Sequence, residues 1–231
     1  MILFDGCSWT FGCELAEDIE EIKKERWSTL VSDHFNTEHV NLSHWGKSND
    51  GILRTTMHHC ENHKVDLAII QFTKNNRREI LNGDSYYRMK HGKANTLMDQ
   101  ASLDYYKYLN TPEDNVANFF KNKFLLEHYF KVHKIPYVFV KINLKTTKYY
   151  SRKHSEIDSV KPSSWQKMSD SSPVPCLYDV LGGWNIPPYY DYETYKKQNV
   201  KKEGTHPNAK GHRKIADFLI DIIDREKYLQ T

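Results

Sequence analysis

Two segments near opposite ends of the chain carry the residue types that perform acyl transfer. Ser8 follows a short apolar run and a Gly-Cys pair, and a serine hydroxyl becomes a strong nucleophile only when a base takes its proton. His206, in the segment EGTHPNAKGH, can supply that base. A serine and a histidine in one crevice would attack an ester carbonyl and form an acyl-enzyme.

A carboxylate three residues before the histidine could complete this set. Glu203 can accept an imidazole N–H of His206, fix its tautomer and stabilise the imidazolium formed when Ser8 gives up its proton. Each segment also has a simpler interpretation: the serine as a turn or capping residue, and the histidine segment as a plain helix start capped by Thr205. The presence of both segments in one chain favours the chemical interpretation.

The elements that must position these segments alternate between strand and helix patterns. Apolar runs predict strands at 1–4, 39–42, 65–72 and 136–142. Helix-compatible spacing predicts helices over 14–35, which a break could divide, over 49–63, from Pro112 to about 134 with Thr111 as N-cap, and from Pro207 onward. This alternation predicts an α/β fold with a parallel sheet between helices and a ligand crevice at the carboxyl ends of the strands.

Four segments that follow strands or precede the last helix are DGCSWTFG, SHWGKSND, TKNNRRE and EGTHPNAKGH. Together they resemble the four sequence blocks of SGNH (GDSL-like) hydrolases, in order and over almost the whole chain. The resemblance implies a three-layer α/β/α sandwich of flavodoxin-like type with a mostly parallel, about five-stranded sheet. It also implies a serine esterase with Ser8 as nucleophile, His206 as base and Glu203 as orienting carboxylate. Cys7 and Glu203 stand where the family has Asp.

The resemblance further implies three donors for the oxyanion of the tetrahedral intermediate. These are the backbone N–H groups of Ser8 and Gly46 and the side chain of Asn75. Gly46 suits the role because a residue without Cβ lets its N–H approach a ligand closely. The third block departs most from the family pattern, since its glycine is missing, and Asn76 and Thr73 are alternatives to Asn75.

The substrate implied by the resemblance is a small ester or an O-acetylated carbohydrate. A loop ahead of the histidine supports the carbohydrate, because its aromatic rings could stack on a sugar, although they could equally pack the loop itself. These rings belong to Trp184, Tyr189, Tyr190, Tyr192 and Tyr195. The alternative is a catalytically inactive SGNH-like carbohydrate-binding or structural module, motivated by Cys7, Glu203 and the altered third block. The start GCSWTFG also resembles SGNH-like proteins of phages, which suggests a phage origin.

Composition and charge indicate which classes of partner and which cellular compartment to expect. Over 231 residues, 33 Lys and Arg stand against 30 Asp and Glu, which gives no strong field toward nucleic acid or a membrane. We expect one domain over 1–231 with irregular insertions near 73–110 and 143–202. The start MILFDGCSW has no signal-peptide pattern and no run approaches the ~20 apolar residues of a membrane span, so a cytoplasmic protein is expected. Four irregularly spaced cysteines predict reduced thiols.

No metal and no cofactor are expected. There is no glycine-rich phosphate loop, and His59 and His63, one helical turn apart, lack further ligands at a recognisable spacing, so a solvated helix face is the preferred interpretation.

Cys7 is interpreted as a small buried residue and not as a rival nucleophile. His212 falls within the last helix and is interpreted as structural, and the charged residues 77–79 as an exposed turn.

Overall fold

The chain combines parallel strands with helices and one hairpin. The computed structural model describes residues 1–83, 85–89, 95–142, 174–181 and 206–229. Its strands are β1 (Ile2–Asp5), β2 (His39–Asn41), β3 (Leu67–Phe72), β4 (Glu79–Asn82), β5 (Ser85–Arg88) and β6 (Tyr137–Lys141). Its helices are α1 (Ser8–Phe11), α2 (Ile19–Glu25), α3 (Trp27–His34), α4 (Asn49–Asn62), α5 (Leu97–Asp104), α6 (Pro112–His133), α7 (Leu177–Val180) and α8 (Ala209–Glu226), with a π-helical turn at Tyr105–Leu109.

Four strands form one parallel sheet in the order β2-β1-β3-β6. The first strand lies between the second and third, as in flavodoxin-like sheets, so the predicted α/β class is confirmed. Beyond β6, one parallel bridge joins Lys141 to Cys176, and the Lys141 N–H donates to the Pro175 carbonyl at 2.9 Å. Within the described residues, this bridge lies where the resemblance implies a fifth strand.

Apolar side chains pack on both faces of the sheet and create three layers. Successive residues of β3 alternate between the two faces, with Leu67 and Ile69 in one cluster and Ala68 and Ile70 in the other. Helices α3 and α8 cover the first face, and α4 and α6 cover the second. Their fully buried side chains include Trp27, Val31, Ile215 and Leu219 on the first face and Ile52, Leu126 and Phe130 on the second.

Capping side chains set where the long helices begin. The hydroxyl of Thr111 accepts the Asp114 N–H at 3.1 Å and Pro112 is the first residue of α6, as predicted. The last helix begins at Ala209 and not at the predicted Pro207, because Asn208 Oδ1 accepts the N–H of its third residue, at 3.0 Å. None of the helices in the described ranges is both long and apolar enough to cross a bilayer.

The predicted helix over 14–35 is divided, and its start was wrong. Asp18 accepts the N–H groups of the first turn of α2, which begins at Ile19, and Arg26 adopts an extended conformation (φ −67°, ψ 145°) between α2 and α3. Glu14 lies outside any helix and has a positive φ of 67°. The segment between the end of α1 and the start of α2 is therefore a loop.

The predicted insertion at 73–110 begins with an antiparallel hairpin, β4-β5. Arg54 of α4 donates to Glu79 at 2.8 Å, and Arg78 donates to the Tyr105 hydroxyl at 2.8 Å and pairs with Asp114. Arg78 is only 8% exposed, so the interpretation of 77–79 as an exposed charged turn was wrong for this residue. The hairpin is thus fixed to α4 and to the start of α6 by ion pairs.

Candidate active site

A cavity of about 620 Å³ opens where the loops after the strands meet. Its lining comes from the segments that follow β1, β2, β3 and β6 and from the segment just before α8. The loops after parallel strands converge at one edge of an open α/β sheet, and ligands bind there. The cavity therefore lies at the edge that the strand order predicts for a binding site.

Three of the predicted site residues line this cavity together. Ser8 comes three residues after the end of β1, Gly46 comes five residues after the end of β2, and His206 precedes α8 by three residues. Glu203 lies outside the described residues. The fold brings the serine, glycine and histidine blocks of the sequence to one place.

A tight turn presents Ser8 directly after the first strand. Ser8 is the first residue of α1, so its backbone N–H has no acceptor within that helix, and among the described residues no other group accepts it. Cys7, the N-cap, is fully buried, which confirms its interpretation as a small buried residue. The Ser8 hydroxyl lies 3.7 Å from the Cys7 sulfur.

Cys13 is the other thiol near the cavity, and it is held protonated. Its burial, followed by the nearby Cys7 and Glu14, raises the pKa of the Cys13 thiol to about 11, against an opposing influence of Arg77. A protonated thiol is a poor nucleophile at neutral pH. The chemistry of the lining thus favours the serine over this cysteine.

The glycine loop after β2 takes a conformation that suits glycine. Gly46 has a φ of +70°, and a Cβ at this position would come within 2.8 Å of the Arg88 guanidinium. Arg88, from β5, donates to the Trp45 carbonyl and holds the loop from outside. Among the described residues no acceptor takes the Gly46 N–H, which leaves it available beside the cavity.

The histidine faces a carboxylate that the sequence analysis did not single out. His206 Nδ1 lies 3.0 Å from Oε2 of Glu14, which also lines the cavity. The His206 side chain is 17% exposed, but its Nδ1 is buried and makes no well-aligned hydrogen bond to the described residues. No sequence spacing points to Glu14, because its approach depends on the loop between α1 and α2.

Comparisons with known proteins bear on the fold. No protein-family model matches this sequence, and no curated protein matches it. Solved structures do match. The psychrotrophic esterase EstA from Pseudoalteromonas sp., inhibited by monoethylphosphonate, gives a TM-score of 0.52 at 15% identity, over 97% of this chain and 96% of that chain.

Two further structures agree. A G-D-S-L family lipolytic protein from Desulfitobacterium hafniense DCB-2 gives a TM-score of 0.54 at 12% identity, over 96% of this chain and 98% of that one. The structure of TesA gives a TM-score of 0.56 at 12% identity, over 97% of this chain and 98% of that one. The chain has the SGNH-hydrolase fold. At such low identity the likeness establishes the fold, and the chemistry must be argued from the residues.

Within this SGNH fold, a buried carboxylate joins the serine loop to the glycine loop. Asp5 is fully buried, and its Oδ1 accepts the Gly6 N–H at 2.7 Å and Lys47 Nζ at 2.6 Å. Its Oδ2 accepts the hydroxyls of Thr55 at 2.6 Å and Thr56 at 3.0 Å. This network was not predicted, although an acid that ends an apolar strand is a visible signal for one.

The serine turn of the SGNH fold is also tightly packed against β3. Gln71 Oε1 accepts the Thr10 hydroxyl at 2.9 Å and lies 3.4 Å from the Cys7 nitrogen, which donates to it. A Cβ on Gly6 would come 2.3 Å from the Thr10 hydroxyl oxygen. The glycine of the first block is therefore needed for close approach of the turn to the sheet.

The third block of the SGNH fold places two cations on the cavity wall. Lys74 and Arg77 line the cavity, whereas the predicted donor Asn75 is not part of the lining. Thr73 is held in place, because its N–H donates to Asn49 Oδ1 at 2.9 Å and its hydroxyl accepts from Arg77 at 2.7 Å. The block is anchored at its first residue.

His212, close to the candidate site of the SGNH fold, has a structural role. It is fully buried in α8, and its Nδ1 accepts the Trp27 N–H at 3.1 Å, which assigns the ring proton to Nε2. Burial, with smaller contributions from His206 and Arg26, lowers the pKa of His212 from 6.5 to about 3. This histidine therefore stays neutral and fixes the start of α3 against α8.

His212 should make the protein less stable in mild acid. Because the pKa of His212 is about 3 in the folded state and 6.5 in its ordinary environment, the unfolded chain takes up a proton below 6.5 that the folded chain refuses. Its contribution to stability is complete above that value and falls by up to about 1.4 kcal/mol per pH unit below it. His212→Asn keeps an acceptor for Trp27, and it should flatten the dependence of the free energy of unfolding on pH between 4 and 6.5, measured in urea.

The exposed His58 provides a matched control for this prediction. His58→Asn removes an imidazole without changing a buried group, so its stability profile should run parallel to that of the wild type. Parallel profiles for wild type and His212→Asn would contradict the assignment of the acid sensitivity to His212.

Proposed function

We propose that the chain is a serine ester hydrolase that acts through an acyl-enzyme. The observation that carries this proposal is that Ser8, Gly46 and His206, from three separate loops, line one cavity at the strand ends. Nucleophile, oxyanion donor and base are the three groups that acyl transfer needs within reach of one carbonyl.

The proposed reaction has two halves. Ser8 Oγ attacks the ester carbonyl, and His206 takes the hydroxyl proton and then delivers it to the departing alcohol. In the second half, the histidine removes a proton from water, which attacks the acyl-enzyme. The acyl–Oγ bond then breaks, the imidazolium returns the proton to Ser8 Oγ, and the acid is released. The N–H groups of Ser8 and Gly46 stabilise the oxyanion in both halves, and losing one such donor costs about 2.7–4 kcal/mol in the barrier.

We propose an asparagine side chain of the third block as the remaining oxyanion donor. The N–H of Thr73 is already donated to Asn49, which argues against this N–H as the donor. Asn75 remains our first choice, and Asn76 is the neighbouring alternative. Glu203, three residues before the histidine, stays a predicted orienting carboxylate.

The proposed substrate is a small ester, with an O-acetylated carbohydrate as the preferred class. A cavity of about 620 Å³ has the size of a small-molecule site. Trp45 is 60% exposed and contributes to the cavity lining, so it offers an aromatic face on which a sugar ring can stack.

Labelling with a fluorophosphonate tests the proposed function. We expect one covalent adduct per chain, located on Ser8 by peptide mass spectrometry, with a loss of p-nitrophenyl acetate hydrolysis in proportion to labelling. Ser8→Ala should not be labelled, whereas a variant of an exposed serine, Ser85→Ala, should be labelled like the wild type. An unlabelled Ser8 together with no hydrolysis above background would instead favour a non-catalytic binding module.

A further inference from the structure

Glu14 faces the histidine of the proposed site from a segment outside the sequence block that contains His206. It comes six residues after Ser8, in the loop that leads from α1 to α2. Its Oε2 lies 3.0 Å from His206 Nδ1, and both side chains line the cavity. The carboxylate thus meets the imidazole on the nitrogen that an orienting group must bind if Nε2 is to face the serine.

The buried Nδ1 of His206 needs a partner. Within the described part of the chain it makes no well-aligned hydrogen bond, even though the Glu14 oxygen is at hydrogen-bonding distance. Catalytic hydrogen bonds are often poorly aligned in a free enzyme and tighten when substrate binds. The side chain of Glu14 is 36% exposed, so it has the freedom to rotate into line.

The backbone at Glu14 adopts a conformation that residues with a Cβ seldom take. Its φ is +67°, in the left-handed region, where glycine or asparagine is the common choice. Such strain in a non-glycine residue is concentrated at functional sites. A glutamate at this position has a functional explanation if the carboxylate itself is required.

The charge of Glu14 is not committed to another cation. Among the described residues, no lysine or arginine lies within ion-pairing distance of its carboxylate, and the Oε2 atom lies 3.0 Å from His206 Nδ1. Its field also reaches Cys13, where it contributes to the raised pKa of the thiol. The carboxylate is therefore available to the imidazole.

We propose that Glu14 is the carboxylate that positions His206. It accepts the Nδ1–H, keeps the lone pair of Nε2 directed at Ser8, and stabilises the imidazolium that forms when the Ser8 hydroxyl proton moves to Nε2. This inference rests on the proposed function. In this proposal Glu14 is the main carboxylate that positions His206, in place of Glu203, which was expected from the sequence.

Kinetics of matched variants test the proposal. Glu14→Gln should lower kcat for p-nitrophenyl acetate by about 100-fold or more, with KM within about 3-fold of wild type, because the lost interaction strengthens in the transition state. Glu14→Asp should recover part of kcat. Glu17→Gln, the same charge change at an exposed position three residues later, should stay within about 2-fold of wild type.

Two further measurements distinguish a positioning role of Glu14 from a purely structural one. Nitrogen NMR of the His206 ring should find the Nδ1–H tautomer in the wild type and a larger Nε2–H population in Glu14→Gln. Glu14→Gly removes both the carboxylate and the left-handed strain, so it should keep or raise Tm while losing kcat as Glu14→Gln does.

The outcomes are distinguishable from those for the proposed function. The proposal would be overturned if Glu14→Gln kept both kcat and the Nδ1–H tautomer while Glu203→Gln lowered kcat and the population of that tautomer. That result would assign the positioning role to Glu203. A tautomer shift in Glu14→Gln without ester hydrolysis by the wild type would support the Glu14–His206 contact and refute the esterase function.

Discussion

Replacement of Ser8 by alanine is expected to lower kcat for p-nitrophenyl acetate hydrolysis by about 10⁴–10⁶-fold, to a rate close to that of the oxyanion site alone. The effect is expected to be large because neither nearby thiol can replace the serine: Cys7 is fully buried, and the Cys13 thiol, with its pKa raised to about 11, stays protonated. Initial rates with substrate in excess measure this loss, and Tm checks that the fold is retained.

The partner variant His206→Ala should lose nearly as much activity, and the double variant should lose little more than either single one. Residues that act as one unit in a reaction are strongly non-additive. Ser85→Ala, at an exposed serine of β5, should retain kcat within about 2-fold. Full activity in Ser8→Ala would refute the acyl-enzyme mechanism.

Asp5→Ala should lower the free energy of unfolding by about 3–5 kcal/mol, the usual cost of removing one partner of a buried ion pair. The change leaves Lys47, 8% exposed, without its counter-ion, and takes the acceptor from the Gly6 N–H and from the Thr56 hydroxyl, whereas the Thr55 hydroxyl can still donate to the Gly51 carbonyl. Urea unfolding followed by circular dichroism measures the loss, with unchanged m-values as the sign of two-state behaviour.

The free energy of unfolding lost when an acidic side chain is removed should depend on its burial and not on its charge alone. In the exposed pair of Glu20 and Lys23, Glu20→Gln should cost less than about 1 kcal/mol. The double variant Asp5→Ala/Lys47→Met should regain part of the loss, because it removes the stranded ammonium. Equal costs for Asp5→Ala and Glu20→Gln would contradict the role of the Asp5 network.

Local sequence patterns were sufficient for most of the sheet and its helices. The run VDLAIIQF predicted a strand buried on both faces, and β3 is that strand. Thr111 and Pro112 predicted the start of α6 through capping chemistry that acts within four residues. Such features depend on neighbours in the chain, so a single sequence contains them.

For the site, the sequence could predict only that residues at the carboxyl ends of neighbouring strands lie close together. Ser8 and Gly46 follow strands whose carboxyl ends share an edge, so their convergence follows from the strand order. The contacts of Asp5 with Lys47 and of Glu14 with His206 depend on loop conformation and on packing between distant segments, which no spacing encodes. Glu203 and the aromatic loop of 184–195 lie outside the described residues, so those predictions stand as made.

The hairpin after β3 holds the loop that contains Gly46 from outside the parallel sheet. It lies outside the parallel sheet, yet Arg88 from its second strand grips the Trp45 carbonyl beside Gly46, the proposed oxyanion donor. Ser8, by contrast, is held from the central strand through Gly6 and Asp5. A change in the length or shape of this hairpin is therefore expected to move the loop that contains Gly46, while Ser8 and the core of the parallel sheet keep their positions.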